Sequence, residues 1–124
     1  MDPQLRQQLF DQLKGILVEF ADGFEVRDEP GRFSLTTTKT IVVDGKAHEG
    51  YYFAGLRENK NIIGFYFMPI YVFPELREAV PASLKKILKG YTCFNFKSLN
   101  PEMIGDLRLM MENGIREYKI RQLL

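Results

Sequence analysis

Apolar residues recur at three- and four-residue steps at the start and end of the chain and alternate singly in between. In "DPQLRQQLFDQLKGILVEFAD", Leu5, Leu9, Leu13, Ile16, Leu17 and Phe20 form one stripe, the signature of a helix with one buried face. Asp2 is placed to cap it and Pro3 occupies the first turn, where a missing N–H costs little. The spacing predicts a helix over 3–22. The closing segment, "NPEMIGDLRLMMENGIREYKIRQLL", repeats this grammar with Asn100 as cap, Pro101 at the first position, and Ile104, Leu107, Met111, Ile115 and Tyr118 as the stripe.

Between these helices the period falls to two. Phe24 and Val26 precede a Pro30-Gly31 turn, and Phe33 and Leu35 follow it, as in a hairpin. Asp44-Gly45 marks a second turn. "EGYYFAGLR" and "NIIGFYFMP" flank the polar "ENKN" and are rich in aromatic and β-branched residues, which favour strands. "PELREAVPASLKKILKG" reads as a helix interrupted at Pro81, which has no backbone N–H to donate, and ended by Gly90 as its C′ residue. "YTCFNFKSL" is the last strand. Residues 1–124 make one α+β domain, with a single antiparallel sheet of about five strands packed by N-terminal, middle and C-terminal helices. No internal repeat, linker or low-complexity tract interrupts it.

Strand alternation sorts the aromatic residues by face. Ile63, Phe65 and Phe67 share one face of their strand, with Ile62, Gly64, Tyr66 and Met68 on the other; both are apolar, so the strand is expected in the middle of the sheet. In the last strand Thr92, Phe94 and Phe96 share a face, and Tyr91, Cys93, Asn95 and Lys97 form the opposite, mixed one. If the mixed faces coincide, phenol, thiol, amide and ammonium groups lie over an apolar floor, the composition of a small-ligand pocket. Gly64, Tyr66, Met68, Tyr71, Cys93 and Asn95 are therefore the candidate ligand-binding residues. A glycine in mid-strand weakens a sheet unless something approaches its backbone. The expectation is a gap over Gly64 belonging to a ligand pocket or a homodimer contact.

Composition narrows the function classes. The chain has 124 residues, 45% apolar and 27% charged, which is a globular balance. Its net charge of +1 provides no field to steer it to nucleic acid or an anionic membrane, and Lys85, Lys86 and Lys89 read as a helix end that offsets its dipole. No apolar run reaches the roughly 20 residues of a membrane span, and "MDPQLRQQLF" lacks the apolar core of a signal peptide. A cytoplasmic protein with no nucleic-acid or membrane partner is expected.

The stretch "GYYFAGLRENKNIIGFYFMPIY", a helical segment, and then "LKGYTCFNFKSLNPEMIGDLRLMMENG" together resemble the bacterial YdhG-like domain of unknown function. The resemblance covers residues 45–118: an aromatic hairpin, Met-Pro after the strand, a short helix ending in Lys-Gly, a Phe-rich strand and a closing helix follow in that order. It implies an α+β fold with one antiparallel sheet backed by helices. One branch of that family acts as a frataxin-like intracellular iron chaperone, so the resemblance also implies iron binding as an alternative function. Residues 23–44 depart from the family pattern.

Individual residues offer little for chemistry. Asp11, Glu19 and Asp22, with Glu25, Asp28 and Glu29 beyond, are the carboxylates an iron site would use, but Lys14 and Arg27 interrupt them and the set reads as a solvated surface. His48 and Cys93 are the sole histidine and cysteine, which excludes a closed zinc site of about four N/S ligands from one chain and leaves a Cys93–His48 pair as the one nucleophile candidate. Glycines are present without phosphate-loop or dinucleotide spacing. With no catalytic residue and no cofactor assigned, the chain reads as a non-catalytic binding module that takes a small molecule, a protein partner or a second copy of itself through the mixed sheet face.

Overall fold

The computed structural model describes all residues, Met1–Leu124. Helix α1 (Pro3–Val18) opens the chain, with Asp2 Oδ1 accepting from the Gln4 amide at 3.1 Å. It is shorter than the expected 3–22. The amides of Glu19, Phe20 and Ala21 bond to the carbonyls of Ile16, Leu17 and Val18, so the last turn tightens to three-residue bonds and the helix runs out before Asp22. Leu9, Leu13, Ile16 and Leu17 are buried as the stripe requires, whereas Leu5 is 57% exposed.

Strands β1 (Glu25–Glu29) and β2 (Arg32–Thr36) form the expected hairpin. A separate two-stranded ribbon follows, β3 (Thr40–Val43) and β4 (Lys46–Glu49). Its turn holds Asp44 at φ +52 and Gly45 at φ +77, the left-handed pair that matches hairpin twist. Strands β5 (Tyr52–Glu58) and β6 (Ile63–Phe67) make the aromatic hairpin. The chain then passes through the short helix α2 (Pro69–Val72), a 3-10 turn (Pro74–Ala79) and the short helix α3 (Ala82–Lys85), broken at Pro81. Strands β7 (Leu88–Lys89) and β8 (Cys93–Phe96) lead to helix α4 (Pro101–Ile120). Asn100 Oδ1 caps α4 by accepting from the Met103 amide at 2.8 Å.

The fold is α+β. Its main sheet has six antiparallel strands in the order β1-β2-β5-β6-β8-β7, with β6 inside the sheet as its two apolar faces required. The sixth strand is β7, carved from the end of the segment expected to be helical. Gly90, at φ +68, therefore turns the chain from β7 into β8 rather than closing a helix.

Helices α1 and α4 cover one sheet face. Helix α1 packs across β5 and β6. Helix α4 contributes Leu107, Met111 and Tyr118 to a core that also holds Phe33, Leu56, Ile63, Phe65, Phe67, Phe94 and Phe96. Ile104 and Ile115 from the expected stripe lie half-buried beside that core. Gly114 lets α4 approach closely, since a Cβ there would stand 2.7 Å from Phe67 Cζ. Phe65 and Phe67 stack with centroids 5.8 Å apart, and Phe53 meets Tyr118 edge-on at 4.9 Å. Each fully buried apolar side chain contributes about 1.5–3 kcal/mol, so this face carries most of the stability.

One irregularity decides what the opposite face presents. Leu35 pairs with Ala54, but the next residue, Thr36, pairs with Tyr52, leaving Phe53 as the extra residue of a β-bulge. Phe53 and Ala54 are then both fully buried, and Tyr52 swings to the uncovered side.

Candidate functional site

The uncovered face is assembled by register. Tyr66 pairs with Cys93 and Gly64 with Asn95, so the mixed faces of the two strands coincide. On the other side of β6, Gly55 faces Tyr66 and Arg57 faces Gly64. Ser34 then faces Gly55 and Arg32 faces Arg57. The edge strand adds Glu25, Arg27 and Glu29, opposite Thr36, Ser34 and Arg32.

Two tyrosines lie down on this face over glycines. A Cβ on Gly64 would meet three atoms of the Tyr66 side chain at 3.3–3.5 Å, so the expected gap over Gly64 is filled by the phenol two residues along its own strand. Gly64 is thus a seat for Tyr66, and no open pocket lies above it. The Tyr52 side chain rests on Gly55 in the same way: a Cβ there would fall 1.9 Å from its hydroxyl oxygen and 2.6 Å from the Phe33 carbonyl oxygen. Burial is the main reason the Tyr52 phenol is pushed up from 10.0 to about 12, with Tyr66 adding to the rise and Arg32 opposing it.

Cys93 Sγ donates to Asn95 Oδ1 at 3.2 Å. Burial raises the thiol above its ordinary value, and a hydrogen bond with Tyr66 offsets only part of that. The phenol of Tyr66 is raised too, first by burial and then by Cys93. Sulfur and phenol therefore stay protonated at neutral pH, and the thiolate needed for nucleophilic attack is suppressed. No hydrogen bond joins Cys93 to His48, whose ring packs on Tyr51 at 5.0 Å.

A depression of about 620 Å³ opens on this face over β1, β2, β5 and β6. Ser34, Tyr52, Arg57 and Tyr66 contribute to its floor, the edge strand supplies one side, and Glu49 and Met68 line it as well. Of the six candidate residues, Tyr66 and Met68 line the depression; Gly64, Cys93 and Asn95 share the face but lie beside it. Tyr71 is a correction. It sits on α2, and its hydroxyl donates to Asp44 Oδ2 at 2.7 Å, tying α2 to the tip of the ribbon. That bond raises the Tyr71 phenol above its ordinary value. The helix begins at Pro69, which ends strand alternation two residues before Tyr71.

Sequence reasoning overlooked Arg27, Arg32, Ser34, Arg57 and Tyr52. The alternation of Arg32, Ser34 and Thr36 with Phe33 and Leu35 already marked the face of Arg32 and Ser34. Tyr52 had no such signal, because strict alternation places it with Ala54 and Leu56. The carboxylates considered for iron do not converge: Lys14 holds Asp28 at 2.6 Å, Arg108 holds Glu19 at 2.6 Å, and no three His, Cys, Asp or Glu side chains come together to hold a metal ion. Arg108 is also the main reason the Glu19 carboxyl lies below its ordinary value. No helix is long and apolar enough to cross a membrane.

No protein-family model matches this chain, and no curated protein or solved structure is significantly similar to it.

Proposed function

We propose that this protein is a non-catalytic binding module that takes a small ligand on the uncovered face of its sheet. The observation that carries the reading is the asymmetry of that sheet: helices close one side, while the other keeps a depression of about 620 Å³ with a partly aromatic floor. Ligand sites fall in a range of about 300–1,000 Å³ and combine apolar walls with a few placed polar groups. The protonated thiol and phenols on this face suit recognition better than covalent chemistry. The YdhG-like resemblance of residues 45–118 implies the same architecture, and the iron binding that it offers as an alternative has no converging group of His, Cys, Asp or Glu side chains behind it.

A fragment screen by amide chemical-shift mapping tests this directly. Binding fragments are expected to shift the amides of 32–36, 52–57 and 63–67 together and to leave α1 and α4 unmoved. Hits that map to the helices, or no hits from a broad library, would overturn the assignment. Sedimentation of the same sample reports whether a second copy of the chain covers this face instead, which would also displace the small-ligand reading.

A further inference from the structure

The arginines around the depression differ from the other arginines of the chain. Arg6, Arg77, Arg108, Arg116 and Arg121 each donate a hydrogen bond to a carboxylate, an amide side chain or a backbone carbonyl. Arg27, Arg32 and Arg57 are the remaining arginines; they appear in none of the ion pairs, and all three line the depression. Arg32 and Arg57 are also direct cross-strand partners on β2 and β5. Like charges facing each other across a ladder weaken a sheet; Glu29 faces Arg32 from its other side without forming an ion pair, and the partners of Arg57 are Arg32 and Gly64, so Arg57 has no carboxylate across the ladder. Of the other carboxylates of the depression, Glu25 lies at the far end of the edge strand, opposite Thr36, and Glu49 on the ribbon.

The aromatic groups are placed to match. Tyr66 lies over Gly64, the cross-strand partner of Arg57, and the Tyr52 hydroxyl lies over Gly55, whose partner Ser34 is two residues along β2 from Arg32, so each cation is set beside one of the tyrosines that rest on glycines. A tyrosine lying on a glycine offers a ring face to whatever settles on the sheet.

Building on the reading that this face binds a small ligand, we infer that the ligand is a planar, mainly apolar molecule with one acidic group, a carboxylate, sulfonate or phosphate monoester. Its acidic head sits between Arg32 and Arg57, and its body lies on Tyr52 and Tyr66. Guanidinium groups pair with oxyanions through two parallel N–H donors, which gives direction as well as attraction. An uncharged ligand of the same shape would leave the two cations facing each other. An extended polyanion would meet the outer carboxylates, so a single acidic head is the form that fits.

The test uses two fluorescent probes, anilinonaphthalene sulfonate and the uncharged phenylnaphthylamine, which share an aromatic body and differ in the sulfonate. The sulfonate is expected to saturate one site and to bind at least about tenfold more tightly than the neutral probe, a difference of about 1.4 kcal/mol. Its affinity should fall with added sodium chloride, as screening weakens exposed charge interactions, while the neutral probe is unaffected. The Arg32→Gln, Arg57→Gln double variant should lose that preference and keep its melting temperature, since it removes a like-charge contact. Should the double variant fail to fold, the salt titration on the unmodified protein still decides. Equal affinity for the two probes, or a sulfonate affinity indifferent to salt, would overturn the acidic-head assignment and leave face binding intact. Failure of both probes to shift β2 and β5 amides would overturn both.

Discussion

The two faces of the sheet share one set of strands and differ in how glycine and aromatic residues are combined. On the covered face, phenylalanines of neighbouring strands meet each other and the helices, and Gly114 sits on the helix so that α4 can come down onto Phe67. On the uncovered face the glycines sit in the strands, and tyrosines from the same strands lie on them. The first arrangement excludes water and supplies stability. The second leaves ring faces and arginines in contact with solvent, where they can meet something else. A glycine thus brings a helix close to the sheet on one side and lets a side chain lie flat on the other.

The sharpest way to break this comparison is to remove a ring from the covered face. Phe67 is 1% exposed and contacts Phe65 and Phe53 at 5.8 Å between centroids. Phe67→Ala is expected to lower stability by about 3–5 kcal/mol, measured by urea unfolding. A loss below that of ordinary surface substitutions would mean that the two faces carry similar energetic weight.

A smaller loss is expected from Gly55→Ala, about 1–3 kcal/mol from overpacking. The added methyl would meet both the Tyr52 hydroxyl and the Phe33 carbonyl oxygen, and only the first can move cheaply. Combining it with Tyr52→Ala should therefore recover part of the loss at most. Full recovery in the thermal midpoint would show that the strand itself has room, and that the uncovered face is looser than its glycines suggest.

The mildest effect concerns pH. Tyr52 is raised to about 12 in the folded protein, so on alkaline titration the unfolded chain loses this proton first, near its ordinary 10.0. Stability is then unaffected by this group below that value and falls as pH rises between the two, because the folded state binds more protons. Tyr118, fully buried in α4 with a hydroxyl that has no hydrogen-bond partner, is raised by burial and adds a loss of the same sign. Tyr52→Phe should flatten part of the alkaline decline and remove one late step from the ultraviolet titration of phenolate. An unchanged titration curve would place the Tyr52 hydroxyl in free contact with water.

Much of the fold was legible because its determinants are local. A capping Asp2 or Asn100 followed by proline starts a helix through bonds within one turn, and Asp44-Gly45 sets its turn by backbone preference alone. The two-residue period of a strand likewise assigned Phe65 and Phe67 to one face and Tyr66 to the other before any partner strand was known. Gly90 was ambiguous for an equally physical reason: a left-handed glycine ends a helix or reverses a strand with the same dihedral angles. Neighbours in space, rather than in sequence, made it the turn between β7 and β8.

By itself, then, the sequence determined the two long helices, the α+β class, the strand faces of β2, β6 and β8, and the separation of the phenylalanine-rich side from the mixed one. These follow from periodicity and capping, which act over a few residues. Tertiary structure alone decided the bulge that buries Phe53 and turns Tyr52 outward, the pairing that sets Arg32 against Arg57, the capture of Tyr71 by Asp44, and the filling of the space over Gly64 by Tyr66. Each depends on the register between segments distant in the chain or on how a side chain leans once the sheet is formed. A one-residue shift in register exchanges the faces of a strand, and no local pattern records which shift the assembled sheet adopts.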